Sequence, residues 1–130
     1  MTKGKRIVLI VIIAIAILIA IFVIAVNYIG NQMKVVDNLV INDVDLSSIS
    51  DGIYYGKYES ILVKAEVEVE VKDNRIINVK ILKHSHGKGE AAEVIVDDIV
   101  DEQKINIDTI SGATTSSKVI LKAVENALMD

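Results

Sequence analysis

The chain contains no cysteine. Disulfides, iron–sulfur clusters, thiol catalysis and lipid attachment at a cysteine are therefore excluded. Positive charge is scarce where a polyanion would need it. Of 14 Lys and Arg, three (Lys3, Lys5, Arg6) precede a long apolar run, whereas all 18 Asp and Glu follow it. The residues beyond the run carry a net charge of about −7. Affinity for nucleic acid comes mainly from phosphate neutralisation, so no nucleic-acid partner is expected. An anionic lipid surface likewise exerts no electrostatic pull on such a domain. Internal repeats and low-complexity segments are missing too.

The apolar run, Ile7 to Val26, lacks any polar residue. As a helix rising about 1.5 Å per residue it spans about 30 Å, the thickness of a bilayer's hydrocarbon core. A buried core helix would show a polar face, and this run has none. A cleaved signal peptide has a shorter apolar region and a small-x-small site, whereas here Asn27-Tyr28-Ile29 follows. The expectation is a retained transmembrane helix in the cytoplasmic membrane. Lys3, Lys5 and Arg6 place the N-terminus in the cytoplasm, so the rest of the chain is expected outside. Three parts follow: a basic tip and anchor over 1–29, a connector over 30–50, and one domain over 51–130. The remainder is long enough for one compact domain and too short for two.

Gly30 to Ser50 mixes Asn, Asp and Ser with short apolar patches such as Val35-Val36 and Leu39-Val40-Ile41. Both a short helix and a short strand against the domain fit that pattern. Asp51-Gly52 signals a turn, and Ile53 to Tyr58 reads as a first strand. Val63, Ala65, Val67, Val69 and Val71 then alternate with charged residues, the mark of a half-buried strand. Ile76 to Lys83 returns, with Ile77, Val79 and Ile81 on one face. A three-residue loop, Asp73-Asn74-Arg75, pairs Val71 with Ile77, Val69 with Val79 and Val67 with Ile81, and sets Glu68 opposite Lys80. A two-residue loop would oppose Val69 and Asn78, so the longer loop is expected.

His84 to Gly89 is a glycine-containing loop. Ala91, Ala92, Ile95, Val96 and Ile99 recur at helical spacing, with acidic residues opposite. Val119, Ile120, Ala123, Val124, Ala127 and Leu128 form the apolar face of a last helix, for which Ser116 or Ser117 is the expected N-cap. The class is α+β: an N-terminal transmembrane helix, then a small antiparallel sheet packed with two or three helices.

The segment Ser111-Gly112-Ala113-Thr114-Thr115-Ser116-Ser117 carries the chemistry. By composition alone it is a polar loop capping a helix. Physically it also suits an anion. A helix N-terminus offers unpaired N–H groups and a positive dipole end, and Gly112 and Ala113 leave the backbone open to close approach. His84 and His86 could begin a metal site, but zinc needs three or four ligands and no cysteine assists, so no metal is expected. A loop lining a ligand and a solvated loop are the two remaining readings.

Asp108-Thr109-Ile110-Ser111-Gly112-Ala113-Thr114 resembles the flavinylation motif of the FMN-binding domain family. That family includes flavoprotein subunits of the Na⁺-translocating NADH:quinone reductase and Rnf complexes. Asp51 to Gly56 is similar to its opening strand, Val67 to Val79 to its hairpin, and Val119 to Leu128 to its closing helix. One departure is the loop after His84, where many members carry Thr-Pro-Gly and this chain has no proline. The resemblance implies FMN joined through its phosphate to the Thr114 hydroxyl, delivered from FAD by a flavin transferase. Asp108, Ser111, Gly112, Ala113, Thr115 and His84 are the further residues expected around the flavin, with Thr115 the second choice of acceptor. A threonine hydroxyl needs activation, and nothing near it in sequence is an obvious base, so Thr114 is a substrate of the transferase and not a catalytic residue. The implied role is a tethered electron carrier between a redox donor and an acceptor, not an enzyme by itself. The alternative is a non-redox accessory or scaffold module that keeps the fold without flavin.

Overall fold

The computed structural model describes residues 1–85 and 89–129, so the expectation made for His86 lies outside the described residues. It divides into two compact units, Met1–Gln32 and Met33–Asp130. The first is helical from Lys3 as the opening part of α1 (Lys3–Asp37). Its large apolar side chains are exposed, so it is not the core helix of a soluble fold. It is long and apolar enough to cross a membrane, and a membrane span or an N-terminal signal sequence is what such a helix can be.

The second unit is α+β. Three antiparallel strands, β1 (Gly52–Glu59), β2 (Lys64–Lys72) and β3 (Arg75–Ser85), lie in the order β1-β2-β3. Alternation on β2 buries Ala65, Val67, Val69 and Val71. Onto that face packs α3 (Thr114–Met129), across β1 and β2, while α2 (Ile95–Glu102) lies against β3. Val119, Ile120, Ala123 and Val124 are fully buried and Leu128 nearly so, as the spacing of the last helix predicts.

The hairpin follows a different rule from the one the periodicity suggests. Val69 opposes Val79, Val67 opposes Ile81 and Glu68 opposes Lys80, all as expected. The loop, however, has two residues, Asp73 and Asn74, both with positive φ (52° and 62°), and Val71 opposes Ile76, not Ile77. Positive φ at both central positions is the turn whose twist matches the flanking strands. A bulge at Ile77 then absorbs one residue, so the short turn and the inward register coexist. Strict alternation treats loop length and register as locked, and a bulge unlocks them. Ile76 is therefore buried and Ile77 exposed. A second bulge, at Leu82, leaves that side chain exposed and turns His84 inward opposite Ala65.

Two helix starts also differ from expectation. The segment before α2 opens with a 3₁₀ turn, Glu90–Val94, closed by Ala92 N–H donating to the Gly89 carbonyl at 3.0 Å. The tighter winding buries Ala92, Ile95 and Ile99 but leaves Ala91 exposed. The last helix begins at Thr114, so Ser116 and Ser117 lie inside its first turn and neither is the N-cap.

Residues 33–50 form a strap over the domain. Val36 and Ile41 enter the core, and the Asp43 carboxylate accepts from the Ile105 and Asn106 N–H groups at 2.9 Å each. Lys118 donates to the Leu39 carbonyl at 3.1 Å. Glu125 on α3, 4% exposed, accepts from the Asn42 backbone N–H (3.1 Å), the Asn42 amide (3.3 Å) and Lys122 (3.1 Å). Burial pushes the Glu125 carboxyl up. The Asn42 N–H, the Lys122 ammonium and the Asn42 amide outweigh it and hold the carboxyl below its ordinary value of 4.5. A lowered folded-state value stabilises the fold above the ordinary value, and this stabilisation is lost as pH falls through the lowered one. Acid melts in detergent should therefore show stability declining from about pH 4.5 downward. Glu125→Gln should flatten that decline, and Glu125→Ala, which removes the acceptor shared by Asn42 and Lys122, should cost about 1 kcal/mol at neutral pH.

Candidate functional site

The site forms where α3 begins. Helix geometry leaves the first N–H groups of α3 without intrahelical partners, at the positive end of its dipole. The approach is a tight turn in which Ala113 N–H donates to the Ile110 carbonyl at 2.9 Å. Gly112 completes it at φ +79°, a left-handed conformation that glycine adopts without strain, with open space where a Cβ would point. Ser117 braces this turn from below. Its hydroxyl donates to the Ala113 carbonyl at 2.7 Å and accepts from Ile110 N–H at 3.0 Å. A serine expected as a cap instead fixes the loop from the second half of the first turn.

A cavity of about 660 Å³ opens beside this helix end. It is lined by Gly112, Ala113, Thr114, Thr115 and Ser116 at the helix start, and by Met33, Leu62, Val63, Ser85 and Gly89. Its size falls within the roughly 300–1,000 Å³ of small-molecule and cofactor sites. The helix-start residues offer N–H groups and hydroxyls, and Met33, Leu62 and Val63 offer apolar side chains. That division fits a ligand with a phosphate at one end and a flat apolar ring system at the other.

Of the residues expected from sequence, Thr114, Thr115, Gly112 and Ala113 line the cavity. Thr114 is exposed and Thr115 half-buried. Asp108 and Ser111 are exposed on the approach to the turn and do not line the cavity. His84 does not line it either: its side chain is 1% exposed, with Nδ1 3.1 Å from the Glu93 carboxylate. The neighbouring Ser85 takes the lining position. Sequence reasoning missed Met33, Leu62 and Val63, which belong to no motif and reach the site only through the fold, whereas Gly89 belongs to the loop for which ligand lining was one of two readings. It also missed Asp37, whose carboxylate accepts a hydrogen bond from the Thr115 hydroxyl.

A small α+β domain with a cavity at a helix N-terminus has the setting in which phosphate-bearing cofactors are held. The model of one family, the FMN-binding domain, matches residues 63–129, just over half of the chain and all of β2, β3, α2 and the described part of α3. The chain belongs to the FMN-binding domain family. It is an FMN-binding domain that follows a helix long and apolar enough to span a membrane.

Proposed function

We propose that this protein is a membrane-anchored electron carrier whose FMN is esterified through phosphate to Thr114, with its domain outside the cytoplasm. The observation that carries the reading is the position of Thr114. It is the last residue of the Asp108–Thr114 motif, the first of α3, exposed, and on the cavity wall. A phosphate there meets free helix N–H groups and the favourable end of the dipole. FMN, when bound, supplies one- and two-electron redox chemistry. The chain's own residues hold it: the first turn of α3 orients the phosphate, Gly112 and Ala113 admit it closely, and Met33, Leu62 and Val63 shield the apolar side of the cavity from water. A flavin transferase acting on Thr114, and a separate redox donor and acceptor, are the partners this reading requires.

The test is the intact mass of the chain isolated with an active flavin transferase. It should exceed the sequence mass by one FMN less one water. A chain that stays at sequence mass would remove the covalent link, and one that also carries no flavin when isolated undenatured would leave the scaffold reading, in which the fold serves a membrane complex without flavin.

Topology rests on Lys3, Lys5 and Arg6 before the uncharged run. Protease added to intact spheroplasts should remove the domain, whereas protection until lysis would place it inside.

A further inference from the structure

Two identical side chains, Thr114 and Thr115, stand side by side on the cavity wall, and a motif alone gives no physical reason why a transferase should modify one of them. The structure supplies one. Thr114 is exposed. Thr115 is half-buried, and its hydroxyl donates to the carboxylate of Asp37, 78 residues earlier at the end of α1. Asp37 lies outside the family-matched residues 63–129.

We propose that Asp37 is a positioning residue that selects the acceptor: by holding the Thr115 hydroxyl it withholds that oxygen from flavin transfer and leaves Thr114 as the single site. The inference rests on the covalent-FMN reading above. In the transfer, a threonine Oγ–P bond forms at the FMN phosphorus of FAD and the diphosphate P–O bond breaks. AMP leaves, and the hydroxyl proton passes to a base of the transferase. The attacking oxygen must reach an anionic diphosphate. At Thr115 it would have to give up its carboxylate partner and turn away from a half-buried position, next to a like charge that repels the donor. Thr114 is exposed, and among the described residues its hydroxyl has no carboxylate partner to give up. The opposite role for Asp37, a base activating Thr115, has the same hydrogen bond but the wrong exposure, and the experiment separates the two.

The full chain is co-expressed with a flavin transferase, and the flavin-bearing peptide is located by mass mapping. Wild type should carry FMN on Thr114 alone, whereas Asp37→Ala should carry it on Thr114 and also on Thr115, which shows in addition that the Asp37→Ala chain folds. Thr114→Ala should carry none. Asp37→Ala with Thr114→Ala should regain flavin, now on Thr115, rising from undetectable to the larger part of the chains. Asp37→Asn with Thr114→Ala should stay empty, because the asparagine carbonyl still accepts from Thr115. The proposal is overturned if Thr114→Ala alone is modified on Thr115 or if the Asp37→Ala double variant stays empty. It is equally overturned if the Asp37→Asn double variant gains flavin, or if Asp37→Ala alone loses it. A wild-type chain without covalent FMN would instead remove the reading beneath it.

Discussion

Thr114→Ala should abolish the flavin fluorescence that survives denaturing electrophoresis and leave the fold intact. The substitution removes a hydroxyl and a methyl from an exposed helix-start position, where alanine is an excellent helix former. The Thr114 hydroxyl donates or accepts no hydrogen bond among those that fix the turn, which run through Ile110, Ala113 and Ser117. Stability should therefore stay within about 0.5 kcal/mol of wild type, as for other surface changes. Thr114→Ser keeps a hydroxyl at the same point and should retain at least part of the flavin. Thr115→Ala leaves Thr114 untouched and should retain it fully. Denaturation-resistant flavin in Thr114→Ala together with its loss in Thr115→Ala would move the attachment one residue on.

Gly56→Ala should damage the fold far more than the same change at the strand's other glycine, Gly52, where an added Cβ meets nothing closer than 3.7 Å. A Cβ at Gly56 would lie 2.1 Å from the Ala123 carbonyl oxygen, 2.5 Å from Ala127 N and 2.7 Å from Ala127 Cβ. Two of those three atoms belong to the backbone of α3, so no side-chain rotation relieves the clash. The helix must lift from β1, and with it the fully buried contacts of Val119, Ile120, Ala123 and Val124. Overpacking typically costs about 1–3 kcal/mol, and a rigid backbone places this case at the upper end or beyond. For a domain of this size that lowers the melting temperature by roughly 12 °C or more. Thermal unfolding in detergent, followed through Tyr54, Tyr55 and Tyr58 on the same strand, reads it directly. A variant melting within a few degrees of wild type would mean that α3 is not seated on Gly56 as described.

Where one periodic signal decided the structure, the sequence was readable. The alternating valines of β2 and the helical spacing of Val119 to Leu128 each describe a single buried face, and both faces are where they were expected. The hairpin was readable only in part. Its inward pairs follow from burial, but the bulge at Ile77 depends on the short turn at Asp73-Asn74 and on Gln103. The Gln103 side chain, from beyond α2, accepts from Ile76 N–H at 2.9 Å and donates to the Ile76 carbonyl at 2.8 Å. No local rule links positions 27 residues apart. The site divides in the same way. The hydroxyl-rich turn announces itself because its residues are contiguous and belong to a motif. Met33 and Asp37 carry no such signal, since they reach the turn only after the strap has folded onto the domain.

That strap separates the part of the chain that is recognised from the part that can fold. A fragment cut to residues 63–129 would lose β1 and the inward side chains of Tyr54 and Tyr58. It would also lose Val36 and Ile41 from the core and strand Glu125 without its Asn42 partner. Its β2 strand would become a bare edge, open to pairing with other chains. A truncated version for crystallisation or electrochemistry must accordingly keep Met33 onward, so that the shortest self-sufficient fragment is nearly half as long again as the stretch by which the family is recognised.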